Sequence, residues 1–250
     1  RITNSDYLCL AGGVGLNCVA NGKLQKEKIF KNIYIQPAAG DDGLALGSAL
    51  YVSNSTLGEG CRWVMKDASL GSSYSDLEIE TVLDKLKVNY IILDRASLLD
   101  RTAQKIAAGK IIGWFQGRME WGPRALGNRS ILTHPGLPEM KDTLNARIKH
   151  REPFRPFAPA VLAERQADIF SESHPSPFML HVYEIRPEWR QRLCSVNHVD
   201  NTGRLQSVCR DEHSLYYDLI SRFDQLTGIP VLLNTSFNEN EPIVCTPTEA

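Results

Sequence analysis

No apolar run in this 250-residue chain approaches the roughly 20 residues needed to cross a bilayer. No CxxC or CxxH spacing occurs among the six cysteines, Cys9, Cys18, Cys61, Cys194, Cys209 and Cys245. Structural zinc is therefore not expected, and scattered thiols of this kind read as reduced core residues of a cytoplasmic protein. The six histidines show neither HxxxH nor HExxH spacing, which argues against a two-histidine metal site within the chain. No GxSxG elbow is present, so a Ser-His-Asp hydrolase is excluded on that pattern. Repeats and low-complexity segments are also missing. The chain opens on Arg1 and stops at TPTEA, and both ends read as cut from something longer.

What remains is an ordinary globular composition, 42% apolar and 23% charged, with a formal net charge of -1. The surface as a whole does not advertise nucleic-acid binding. The charge is uneven, however. Between Arg118 and Arg165 there are nine Lys/Arg against five Asp/Glu, which points to a local anion site. The length allows one large domain or two modest ones.

Residues 1–57 read as strand (Tyr7–Ala11), helix (Leu16–Lys28), strand (Asn32–Gln36) and helix (Gly43–Val52). Two strands and two helices are too little for a good core, so this unit is expected to be the tail of a larger α/β domain that exposes apolar surface. Residues 58–75 are polar and Gly/Ser-rich and read as a linker. A second domain, residues 76–250, starts at the capping pattern Ser75-Asp76-Leu77-Glu78. Its expected elements are a helix to Leu86, a strand Asn89–Leu93, a helix Ser97–Ala108 and a strand Lys110–Phe115. A helix Pro138–Arg147, a strand starting at Ala160–Ala163, a helix Glu212–Leu226 and a strand Ile229–Leu233 follow. Residues 171–212 read as irregular.

Three stretches of this second domain carry the anion chemistry. In MEWGPRALGNRS, Arg124 and Arg129 stand in a Gly/Pro-rich turn. Glycines admit close backbone approach, and arginine supplies a planar fork of donors for phosphate or carboxylate. The alternative is a tight turn whose arginines pair with nearby acids. In RIKHREPFRPF, Arg147, Lys149, Arg151 and Arg155 are interleaved with Pro153 and Pro156, which stiffen the backbone. If that segment is extended, Arg147, Lys149 and Arg151 share one face. In VLLNTSFNENEP an apolar strand ends in Asn234, Ser236 and Asn238, whose side chains suit phosphate oxygens, a metal, or their own turn.

The first unit offers weaker signals. LAGGVGLN places Gly12, Gly13 and Asn17 between a strand and a helix, a setting for an anion at a helix N-terminus. It has neither the P-loop lysine nor the dinucleotide-binding spacing. Asp41, beside Asp42, precedes another helix and reads as a metal ligand or as a helix-start acid.

Together, LCLAGGVGLNCVANGKL, AAGDDGLALGSAL, GRMEWGPRALGNRSIL, NARIKHREPFRPFAPAVL, HVDNTGRLQSV and TGIPVLLNTSFNENEPIV resemble the NodU/CmcH-type O-carbamoyltransferase family, in the family's order and over nearly the whole chain. The resemblance implies an α/β fold. A YrdC-like domain with a mixed twisted sheet would follow the C-terminal fragment of an actin/Hsp70-like (ASKHA), Kae1-like domain. The family's metal-binding histidine pair would lie upstream of Arg1.

The implied substrates are carbamoyl phosphate, ATP with Mg²⁺, and a hydroxyl-bearing acceptor. Fe²⁺ or another divalent metal would belong to the complete Kae1-like domain. Carbamoyl-adenylate would form in the YrdC-like part and pass its carbamoyl group to the acceptor. Lys149-His150-Arg151 matches the K-x-R element and Ser236-Phe237-Asn238 the S-x-N element. Arg124, Arg129, Arg155, Arg204 and Asn234 match other family positions. Lys149, Arg151, Arg155 and Arg124 are the expected catalytic cations. Arg129, Arg204, Asn234, Ser236, Asn238, Gly12, Gly13 and Asn17 are expected to hold nucleotide or phosphate, and Asp41 the metal. HVDNTGR departs from the family's Asp-Gly-Thr before Ala-Arg, so the Arg204 loop is expected to differ locally. A cytoplasmic location without membrane or nucleic-acid partners is implied, and a homodimer is compatible with it. The competing readings are a threonylcarbamoyl-adenylate synthase of tRNA modification and an RNA-binding YrdC-like module.

Overall fold

A computed structural model describes residues 3–60, 63–172, 174–239 and 241–250. Cys61, part of the expected linker, and Asn240 of the VLLNTSFNENEP stretch lie outside the described residues.

The first unit alternates strand and helix as its sequence pattern requires. Strand β1 (Tyr7–Leu10) runs parallel to β2 (Asn32–Ile35), with α1 (Cys18–Lys26) between them and α2 (Leu44–Tyr51) after them. Asn17 caps α1, its side chain accepting from the Ala20 N–H at 3.1 Å. A two-stranded sheet cannot cover its own faces. Tyr7, Leu44, Leu57 and Tyr51 are accordingly 65–68% exposed. The other side of the unit is sealed against the rest of the chain. Ile33 and Ile35 pack on Leu180, and Asn21 Nδ2 donates to the Leu180 carbonyl at 2.9 Å. Gly22 lies so close to the Val182 backbone that a Cβ there would sit 2.7 Å from its carbonyl oxygen.

The second unit is built on a mixed five-stranded sheet of β3 (Ile112–Phe115), β4 (Arg129–Thr133), β5 (Ala158–Leu162), β8 (Gln206–Val208) and β9 (Val231–Ser236). Their spatial order is β3-β4-β9-β5-β8, antiparallel except for β5 with β8. β6 (Val182–Glu184) and β7 (Thr202–Arg204) pair separately. Helix α3 (Asp76–Leu86) opens on a complete capping box, Ser75 with Glu78. Helices α4 (Arg95–Ala107) and α7 (Ser214–Thr227) bury Leu99, Ala103 and Ile106, and Tyr216, Leu219, Ile220 and Phe223, in one core with the sheet. Each of the Leu, Ile and Phe side chains contributes about 1.5–3 kcal/mol of transfer free energy. The shorter helices are α5 (Met140–Arg147) and α6 (Gln166–Ile169).

Five expectations need correction. Residues 171–212 are not wholly irregular, since β6, β7 and β8 lie there. Asn89–Leu93 is not a strand. It is an exposed connection between the left-handed Lys87 at the end of α3 and the Asp94 cap of α4, with Ile91 61% and Ile92 72% exposed. Its β-branched run has no ladder partner among the described strands. The described part of 58–75 is not a free linker either. Gly71 N–H donates to the Met119 carbonyl at 2.9 Å, Met119 N–H to Ser72 at 2.8 Å and Trp121 N–H to Ala68 at 2.6 Å. Met65 and Ala68 are buried with Leu126 and Met179. Arg147, Lys149 and Arg151 do not share an extended face. Arg147 ends α5, and His150, at φ 45°, turns the chain between the other two. Finally, none of the five described cysteines is a core residue. All are unpaired, and Cys9 is exposed.

Candidate functional site: an arginine pocket at the strand ends

The sheet order brings distant motifs to one edge. β9 is antiparallel to both of its neighbours, so its C-terminal end meets the N-terminal ends of β4 and β5. Ser236 stands opposite Ser130, and Asn234 opposite Ala158. β8 is parallel to β5, so Arg204, just ahead of it, reaches the same edge.

A cavity of about 310 Å³ lies there, lined by Arg124, Arg151, Arg155 and Arg204 with Asn234, Thr235 and Ser236. No Asp or Glu lines it. Arg155 is held by Glu152 at 2.9 Å and Arg151 Nε donates to Asn145 Oδ1 at 2.8 Å. Arg151 also lies over the Phe157 ring, 4.8 Å from its centroid. Arg124 Nε and Arg204 Nε are buried without a hydrogen-bond partner among the described residues. Burial, then the neighbouring Arg124, pulls the Arg204 guanidinium down to about 10, and burial lowers Arg124 as well. Burial, with Arg155 second, lowers Arg151. Cations that are desolvated and mutually repelling, with acids kept outside, form a site whose charge an anion would balance.

Lys149 forms the floor beside it. Lys149 is 4% exposed, and its ammonium donates to the carbonyl and hydroxyl of Ser236 and to the carbonyl and Oδ1 of Asn238, at 2.7–3.2 Å. Burial, with Arg151 second, pulls it down to about 8. The K-x-R and S-x-N elements therefore meet, but through Lys149 holding the end of β9. Asn234 and Ser236 belong to that strand and not to the turn after it.

Arg129 is not part of this pocket. It is fully buried, donates to the carbonyls of Gln116, Gly117, Asn128 and Ser72, and stacks 3.7 Å above the Phe115 ring. Its hydrogen bonds join β4 to the 64–72 segment. Of the first-unit residues, Gly12 and Asp41 line a separate, mainly apolar cavity of about 720 Å³, while Gly13 and Asn17 do not. Among the described residues no group of three or more His, Cys, Asp or Glu converges. Asp41 thus has no partners among the described residues to complete a metal site. No helix of the described residues is long and apolar enough to cross a membrane.

Sequence reasoning missed Asn145, which orients Arg151 and donates to the Arg155 carbonyl at 3.1 Å. It lies inside the NARIKHREPFRPF stretch, so its proximity was a usable signal. Glu120 and Gln206, behind the pocket, lie inside MEWGPRALGNRS and HVDNTGRLQSV in the same way, but nothing in their residue types tells of a role toward backbone.

The strand ends of this mixed α/β unit thus carry an arginine-lined pocket, and comparison with known proteins gives the class of the chain. Residues 103–250 match the carbamoyltransferase C-terminus and residues 2–50 the carbamoyltransferase N-terminus. The chain belongs to the carbamoyltransferase family. It is 46% identical over 98% of its length to an uncharacterized protein, sll1178, of Synechocystis. It is 45% identical over 100% of its length to nodulation protein NolNO of Sinorhizobium fredii, and 37% identical over 92% to nodulation protein U of Rhizobium tropici. The chain spans 44%, 38% and 38% of those three proteins.

Proposed function

We propose that the protein is an O-carbamoyltransferase whose arginine pocket makes carbamoyl-adenylate from carbamoyl phosphate and ATP. The observation that carries this reading is the convergence of four arginines, without a carboxylate, on one pocket beside Lys149 and Ser236. The two substrates are polyanions that repel each other, and fixed guanidinium groups offset that repulsion without reorganising during the reaction.

In this scheme water takes the phosphoryl group of carbamoyl phosphate, leaving carbamate and inorganic phosphate. A carbamate oxygen then attacks the α-phosphorus of ATP, and pyrophosphate leaves. Arg124, Arg151, Arg155 and Arg204 hold the phosphoryl oxygens. Lys149 fixes Ser236 and Asn238 at the end of β9, which holds Ser236 at the pocket wall. Transfer from the adenylate to an acceptor hydroxyl, with AMP leaving, belongs to the Kae1-like part, of which residues 1–57 are a piece.

The test is incubation of the protein with Mg²⁺, ATP and carbamoyl phosphate, reading pyrophosphate release and carbamoyl-adenylate by mass. Product with carbamoyl phosphate, and none with threonine plus bicarbonate, is the expected result. No product from folded full-length protein would sink the proposal.

A further inference from the structure

The loop that carries Arg124 has its backbone polar groups taken up by side chains, and one of these is a buried carboxylate. Glu120 is 6% exposed. Its Oε1 accepts from the N–H groups of Leu126 at 2.6 Å, Asn128 at 2.8 Å and Arg129 at 3.3 Å. Ser130 Oγ takes the N–H between them, that of Gly127, at 3.1 Å. The carbonyls are held from the other side. Gln206 Nε2 donates to Leu126 at 2.7 Å, Asn234 Nδ2 to Ala125 at 3.2 Å and Gln116 Nε2 to Gly127 at 3.0 Å. Gly127, at φ 110°, is packed so tightly on the Tyr216 ring that no Cβ fits.

We infer that Glu120 is a positioning residue for the anion pocket: it does not line the cavity, but it fixes the backbone from which Arg124 reaches in. Arg124 sits between Pro123, whose ring locks one backbone torsion, and Leu126, whose N–H is bound to the carboxylate. Little beyond side-chain torsions is left to order when an anion arrives, and that preorganisation raises affinity. A carboxylate suits the task because charge-assisted bonds to amide N–H groups are about twice as strong as neutral ones. Its negative charge also faces the buried Arg129 guanidinium.

This inference rests on the reading of the arginine pocket as an anion site, and its test separates the two. Calorimetry with pyrophosphate on the intact protein is paired with hydrogen-exchange mass spectrometry of peptides spanning residues 124–131. Glu120→Ala should weaken pyrophosphate binding about tenfold or more and speed exchange in that peptide, while peptides of β5 stay protected. Glu120→Gln keeps an acceptor at the same reach and should stay within about threefold of wild type. A folded Glu120→Ala protein with wild-type affinity overturns the inference, whatever its exchange. Should Glu120→Ala not fold, Glu120→Asp decides: its shorter reach should weaken binding more than Glu120→Gln does, and the opposite order overturns the inference. Wild-type protein that binds no pyrophosphate sinks the anion-site reading itself.

Discussion

Lys149 Nζ donates to the Ser236 carbonyl at 2.7 Å and to its hydroxyl at 3.2 Å, across 87 residues of sequence. The ammonium thereby fixes the end of the central strand at the mouth of the arginine pocket. Replacing Lys149 with alanine leaves the oxygens of Ser236 and Asn238 without their donor. The rate of pyrophosphate release should fall about a hundredfold, the scale of a lost electrostatic stabiliser. Turnover at the wild-type rate would refute the role given to Lys149.

The same lysine sets a pH dependence with opposite signs for activity and stability. In the fold it loses its proton near pH 8, against an ordinary lysine value of 10.5. Activity that needs the ammonium should decline with a midpoint near pH 8, and the residual rate of Lys149→Ala should show no break there. Between those two values the unfolded chain binds more protons than the native one. The contribution of Lys149 to stability therefore improves as pH rises from about 8 towards 10.5. Urea midpoints of wild type and Lys149→Ala across that range measure it. A wild-type advantage that shrinks over the window would contradict the sign.

Arg204 is a cation whose Nε is buried without a partner, beside Arg124. On the anion-site reading such a charge is held for a ligand at the expense of the empty fold. Arg204→Met should raise the melting temperature of the ligand-free protein by about 2–4 °C, for roughly 1 kcal/mol in a chain of this size. It should also remove the stabilisation that pyrophosphate gives the wild type. A variant that melts lower and still responds to pyrophosphate would contradict this.

Arg129 ties the 64–72 segment to β4 through the Ser72 carbonyl. Truncation to methionine leaves several buried carbonyls without a donor and should destabilise the protein by about 3 kcal/mol. Exchange in peptides covering 64–72 should rise more than in α7. Uniform loosening, with no excess at that segment, would show that the tie is not specific.

Gly22 closes the seam between the two units against the Val182 backbone. Gly22→Val cannot be accommodated without moving α1 away from β6. Limited proteolysis should then cut within residues 52–60 at enzyme levels that leave wild type intact, while the second unit persists as a fragment. Unchanged resistance would mean that the seam yields elsewhere.

The legible parts of the fold were those whose side chains show their burial. α4 and α7 place apolar residues at helical spacing, and β9 opens on the apolar run Val231–Leu233 shortly after the left-handed Gly228 that ends α7. β4 was hidden because it begins with Arg129, and nothing in RSILT signals that a guanidinium will be buried whole. The 64–72 segment looked like a linker because its attachments are mostly backbone hydrogen bonds, which leave no trace in residue type. Asn89–Leu93 has strand residues but lacks a partner strand, a condition no local window contains. Within the site, the arginines were legible because their motifs are long and particular. Glu120 was not, because it acts on the backbone of the loop and not on a ligand.

The last strand along the chain occupies the middle of the sheet. β4 and β5 do not pair with each other, and each waits for β9 to arrive between them. Contacts this distant in sequence make for slow closure. On a ribosome, helices and hairpins made earlier would remain a loose assembly until residues 231–236 emerge. A chain halted before that point would carry every arginine of this sequence without the strand that gathers them. On the anion-site reading, binding would thus also report that synthesis has passed β9.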